Sequence, residues 1–187
     1  MPRQPRLPSL NRLLQKRLEG VERLALLAIG SELRGDDAAG LLVADHLERL
    51  LSHAKPRSPQ REKRRLAPVR LGVKPTVGVF RGHTAPENYT GAIRKYAPTH
   101  LVIVDAADLG QKPGHIQLLE PEQIGGVSFS THQMPLSVLL DYLKTSFEFK
   151  AVVLTIQPMQ MDYDRPVTPA VRSAARRLAA ALANAMP

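Results

Sequence analysis

Three short, almost wholly apolar runs, at residues 24–29, 100–104 and 151–156, constrain this fold more than any other feature. Each has the length of a strand and none alternates apolar with polar residues, so each reads as a strand covered on both faces. The stretches between them carry helical periodicity. Leu41, Leu42, Ala44, Leu47 and Leu50 mark the inner face of a helix over 38–51. Val171, Ala175, Leu178 and Leu182 mark that of a last helix, which Thr168 caps and Pro169 opens. Pro86 fits the first turn of a helix to residue 96, with Thr84 as a nearby cap, and 134–143 is helical by pattern. Shorter strands are expected at 77–80 and 115–119. Strands alternating with helices predict an α/β chain: a three-layer α/β/α sandwich around a mostly parallel, twisted sheet.

The 187 residues, 43% hydrophobic, suit one such domain. With no cysteine, disulfides, thiolate ligands and a cysteine nucleophile are excluded. No apolar run approaches the roughly 20 residues of a membrane span, so a soluble, cytoplasmic monomer is the expectation. The formal charge of +9 invites a nucleic-acid partner, but its distribution argues against one. Residues 1–23 carry net +4 and residues 55–75 net +7, leaving −2 for the remainder. The basicity therefore lies in an N-terminal extension, 1–23, and in a Pro/Arg/Lys-rich surface insertion at about 53–75 of a domain spanning 24–187. Residues 1–8 have the composition of a disordered segment. After Ser9 a helix is expected to residue 23, with Leu10, Leu13, Leu14, Leu18 and Val21 on one face. Such a basic amphipathic helix either packs on its own domain or lies on an anionic surface.

Ligands of an open α/β sheet gather outside the carboxyl ends of its strands. Two aspartates are expected there. Asp37 follows the first strand through the loop 30–37, and Asp105 ends the strand 100–104. His132 lies in a polar loop just before the 134–143 helix. Two carboxylates and an imidazole can hold one divalent metal with positions left open, and a sulfur-free set suits Ni, Zn, Mn or Fe. Each residue also has a plainer reading. An aspartate before a helix is commonly an N-cap, which applies to Asp36 and to Asp37. One at a strand end can simply bond loop amides, and a loop histidine is commonly a surface residue. Asp36 and Asp108 are further carboxylates nearby, and histidines 46, 53, 83, 100 and 115 compete with His132.

Several chemistries are disfavoured. A phosphoacceptor receiver needs a lysine after its last strand, where this chain has Ile156-Gln157-Pro158. There is no Gly-x-Ser-x-Gly elbow, no His-Glu-x-x-His helix, and no Walker lysine after Gly30.

Several ordered stretches together resemble the hydrogenase maturation endopeptidases, specifically the type that processes the large subunit of formate-hydrogenlyase (hydrogenase 3) enzymes of the [NiFe] class. They are Ala-Ile-Gly-Ser-Glu-Leu-Arg-Gly-Asp-Asp-Ala-Ala-Gly at 28–40, Ala-Pro-Glu-Asn at 85–88 with Ala-Ile-Arg at 92–94, Leu-Val-Ile-Val-Asp-Ala-Ala-Asp at 101–108, Thr-His-Gln-Met-Pro-Leu at 131–136, and Ile-Gln-Pro at 156–158. The resemblance covers about residues 24–182 and implies a phosphorylase/hydrolase-like α/β/α fold for a peptidase domain. It implies Asp37, Asp105 and His132 as metal-binding positions; the catalytic residues stay open, with Asp37 and Asp105 as candidates. The implied partner is a nickel-loaded large-subunit precursor whose C-terminal extension is removed; the nickel belongs to the substrate, and no resident cofactor is expected. Two departures stand out: Ser31 replaces the family's usual Asn, and Arg81-Gly82-His83 replaces Asp-Gly-Gly. Two alternatives keep the scaffold: a peptidase like the spore germination proteases, and a non-enzymatic nucleic-acid binder using the basic segments.

Overall fold

The computed structural model describes residues 9–53, 75–124, 128–129 and 135–186. Within them the three apolar runs become β1 (Arg23–Ile29), β3 (His100–Asp108) and β6 (Lys150–Ile156). With β2 (Thr76–His83) and β4 (Ile116–Leu119) they form a sheet ordered β2-β1-β3-β6-β4. β1 is parallel to both β2 and β3, β3 is parallel to β6, and β4 runs antiparallel to its neighbour β6. A two-residue strand, β5 (Ser128–Phe129), pairs antiparallel with the end of β3.

The apolar runs serve two cores at once because side chains alternate across a strand. Leu24, Leu26 and Ala28 of β1, Val102, Val104 and Ala106 of β3, and Val152, Leu154 and Ile156 of β6 belong to one core. That core is closed by α1 (Leu10–Arg17), α2 (Ala39–His53) and α6 (Pro169–Ala185). Ala25, Leu27, Ile29, Leu101, Ile103 and Val153 face the other core. It is closed by α3 (Thr90–Tyr96), the short α4 (Pro121–Ile124) and α5 (Leu136–Lys144). The expected three-layer α/β/α architecture is therefore present. Each fully buried Leu or Ile side chain contributes roughly 1.5–3 kcal/mol relative to leaving it in water.

Thr168 caps α6 as expected, its hydroxyl accepting a bond from the Val171 amide, and Val171, Ala175, Leu178 and Leu182 are all buried. Other elements depart from expectation for local reasons. α1 stops at Arg17, and the chain turns through Gly20 at φ +77°, a left-handed conformation that breaks the helix. Leu14, Leu18 and Val21 nonetheless join the core shared with α6, so this segment packs on the domain. In α2 the inward stripe runs Val43, Leu47, Leu51 at four-residue spacing. Leu50 lies one position short of that stripe and is 43% exposed. The helix expected from Pro86 divides into a 3-10 turn, Pro86–Tyr89, followed by α3, and Ala85 rather than Thr84 occupies the capping position. β3 does not end at Asp105. It continues to Asp108, because Ala106 pairs with Ile156 and Ala107 with Phe129. Met134, residues 1–8 and most of the basic insertion, 54–74, lie outside the described residues.

Candidate active site

The geometry of the candidate site begins with two glycines. Gly30, just past β1, has φ +133°, and a Cβ there would overlap the carbonyl of Asp37. Gly40, at the start of α2, lies so close to the sheet that a Cβ would overlap the carbonyl oxygens of Ile29 and Val104. Only glycine permits either approach. The loop after β1 is thus folded back onto its own strand, and the first turn of α2 lies across the ends of β1 and β3. Ala28 and Val104 are paired in the sheet. Asp37, three residues before Gly40, and Asp105, the residue after Val104, are therefore brought to one edge, and both are fully buried.

Asp37 belongs to a 3-10 turn, Gly35–Ala38, that leads directly into α2, and the capping position of that turn is Arg34. The N-cap readings of Asp36 and Asp37 therefore do not hold. The Asp105 carboxylate accepts a bond from the Ala106 amide at 2.7 Å. His132, the third expected member, lies outside the described residues, as do Thr131 and Met134. Among the described residues, no three His, Cys, Asp or Glu side chains come together as a metal-holding group. The structure thus places both carboxylates at one sheet edge, and the imidazole lies outside the described residues.

Asp36 has a different task. Its buried carboxylate accepts bonds from the amides of Met159 (2.8 Å), Gln160 (3.3 Å) and Thr168 (2.6 Å) and from the Thr168 hydroxyl (3.0 Å). The loop after β6 is further joined to the 30–37 loop at several points. The Asp36 amide donates to the Gln160 carbonyl and the Asp164 amide to the Leu33 carbonyl, both at 3.0 Å. Arg34 donates to the Met161 carbonyl and lies 5.5 Å from the Tyr163 ring centroid. Leu33, Met159 and Tyr163 stand exposed on these joined loops.

Gln157, one residue past β6, fixes a third loop. Its side-chain oxygen accepts from the amides of Leu109 (2.6 Å) and Gln111 (3.2 Å), while its amide donates to Asp108 at 3.2 Å. Asp108 also accepts from the Gly110 amide at 3.0 Å. That backbone bond, then Gln157, hold its carboxyl below the usual aspartate range. Asp108 is thereby a fastener of its own loop. No local pattern marks Gln157 for this role, since its partners lie more than 40 residues away.

The departure at Arg81-Gly82-His83 is also resolved. Arg81 pairs with Glu48 (2.7 Å) and Asp45 (2.8 Å) of α2, which fastens the edge strand to its covering helix and raises the guanidinium pKa, Glu48 contributing first. His83 is exposed at the end of β2 in a left-handed conformation, φ +48°, and its carbonyl accepts from the Gly30 amide at 3.0 Å. His100 opens β3, at the opposite end of the sheet. His46 lies on α2, and His115 is exposed beside β4.

The family profile for HycI, hydrogenase maturation protease, matches residues 64–185. The chain is 36% identical over 150 residues to the hydrogenase 3 maturation protease of Escherichia coli strain K12, an alignment covering 80% of this chain and 81% of that protein. The chain belongs to the hydrogenase maturation protease family. It is accordingly an endopeptidase of hydrogenase maturation. The fold agrees. It aligns with the crystal structure of a [NiFe] hydrogenase maturation protease HycI from Thermococcus kodakarensis KOD1 at a TM-score of 0.73 and 27% identity, over 92% of this chain and 97% of that one. A crystal structure of the hydrogenase 3 maturation protease aligns at a TM-score of 0.64 and 31% identity, over 84% and 87%. Among the described residues no helix is long and apolar enough to cross a membrane.

Proposed function

We propose that this endopeptidase removes the C-terminal extension of a [NiFe]-hydrogenase large-subunit precursor after nickel has been inserted, and that it recognises the nickel itself. The observation that carries the reading is the pair of fully buried carboxylates, Asp37 and Asp105, held at one sheet edge by the close packing at Gly30 and Gly40. Carboxylates in a water-poor setting attract a divalent cation strongly, and one arriving with the substrate can take oxygen ligands from both. Asp37, Asp105 and His132 supply oxygen and imidazole ligands, a set suited to nickel.

Selection then works by differential binding, since a metal-free precursor forfeits these bonds. Docking through the metal fixes the substrate chain in register. A carboxylate of the pair takes the proton of a water that attacks the scissile carbonyl. Water adds across the peptide bond, leaving a new C-terminal carboxylate on the large subunit and releasing the extension with a free amine. The nickel is part of the substrate, and the protein needs no resident cofactor. The reaction takes place in the cytoplasm, where the precursor is synthesised.

The test is to incubate the protein with nickel-loaded and nickel-free precursor and weigh the products by mass spectrometry. The reading expects loss of one C-terminal peptide from the loaded form alone. Equal processing of both forms would sink it.

A further inference from the structure

We infer that Asp36 is a positioning residue for cleavage: its carboxylate locks the loop after β6 and the start of α6 onto the turn that carries Asp37. The inference rests on the reading that Asp37 belongs to the active site.

Asp36 is fully buried, yet among the described residues no Lys or Arg pairs with it. Its charge is met by N–H and O–H groups alone: Met159 and Gln160 amides and the Thr168 hydroxyl at one oxygen, the Thr168 amide at the other. Bonds from donors to an ionised carboxylate are about twice as strong as neutral ones. The Thr168 hydroxyl that donates to Asp36 also accepts from Val171 at the start of α6. One carboxylate therefore joins its own turn to two segments that lie more than 120 residues further along the chain. Asp37 is the next residue on the same 3-10 turn, so its position follows that of Asp36. Asparagine cannot substitute. Its NH2 group, at either oxygen position, would face a donor already aimed there.

A residue that merely held the fold together would lower stability and leave turnover intact in the folded molecule. Asp36 acts on the geometry beside Asp37, so turnover is the quantity that moves. Cleavage of nickel-loaded precursor by the full chain is followed with kcat and KM resolved, at a temperature where circular dichroism shows each variant folded. Asp36→Asn is expected to lower kcat about tenfold or more, as small misplacements in active sites do, with KM within about threefold. Thr168→Val, which removes one donor, is expected to fall between Asp36→Asn and wild type, and Thr168→Ser, which restores the hydroxyl, to recover wild-type turnover. Leu143→Ala, in the core of the opposite layer, serves as the stability control and is expected to lose melting temperature without losing kcat.

Should Asp36→Asn fail to fold, the Thr168→Val and Thr168→Ser pair decides the matter. Equal turnover in that pair overturns the inference, as does wild-type kcat in Asp36→Asn beside an inactive Asp37→Asn. Full activity of Asp37→Asn overturns instead the site reading on which the inference stands.

Discussion

At the carboxyl end of the sheet three carboxylates, Asp36, Asp37 and Asp105, are fully buried; at the amino end, five residues earlier on the same strand as Asp105, the buried titratable group among the described residues is the imidazole of His100. The surroundings differ as much as the groups. At the carboxyl end, backbone amides converge on the carboxylates, from Met159 and Thr168 on Asp36 and from Ala106 on Asp105. At the amino end, His100 lies against the Thr99 hydroxyl at 3.1 Å. Burial, then Lys150, lower its pKa, against a smaller opposing contribution from the Glu19 backbone. One end gathers buried carboxylates; the other sets a buried imidazole beside a hydroxyl and the Lys150 ammonium. The two ends of this sheet thus differ in the kind of titratable group their interiors hold.

The largest effects should come from the charged end. Asp37→Asn and Asp105→Asn are expected to reduce precursor cleavage by at least about a hundredfold, because loss of a ligand should exceed the ten- to hundredfold loss typical of its supporting partners. His100→Gln, on the same sheet, should leave cleavage within about twofold in the folded protein. A cleavage defect in His100→Gln comparable to that in Asp105→Asn would erase the contrast between the ends.

Gly40→Ala should be next in size. The added methyl meets the carbonyls of Ile29 and Val104, so about 2 kcal/mol of stability should be lost in urea unfolding, with cleavage reduced as well. Gly91→Ala, in α3 with nothing near its Cβ position, should instead gain about 0.5–1 kcal/mol.

A smaller effect follows from His100. Its folded pKa lies below the ordinary 6.5, so the unfolded chain takes up a proton at higher pH than the folded chain does. This contribution to stability is complete above about pH 6.5 and is lost as pH falls through the folded value. His46, lowered by burial and then by Arg49, has the same sign. Urea unfolding between about pH 7.5 and pH 5 should therefore lose stability more steeply in wild type than in His100→Gln, and parallel curves would contradict this.

The same contrast explains what could be read from the chain. β1, β3 and β6 were legible because a strand buried on both faces has no polar alternation, and the Thr168-Pro169 start of α6 because capping is a local matter. Asp37 and Asp105 were legible as strand-end carboxylates, and the motifs around them pointed to the family. Asp36 was not: the preference that marks it as an N-cap is local, whereas the bonds that occupy it come from Met159, Gln160 and Thr168. Gln157 was invisible for the same reason. The last two residues of β3, Ala107 and Asp108, pair with β5, a two-residue strand that carries no periodic signal. Leu50 departs from the apolar pattern because Leu51 fills the stripe that α2 turns to the sheet.

The central claim is that Asp37 and Asp105 sense the precursor's nickel. The most direct measurement is the ratio of cleavage rates for nickel-loaded and nickel-free precursor, taken in wild type and in Asp37→Asn and Asp105→Asn. The account predicts a large ratio in wild type that collapses toward one in both variants, because the loaded form loses its advantage. Variants that are slower yet keep the wild-type ratio would contradict it, since the nickel would then be recognised without these carboxylates.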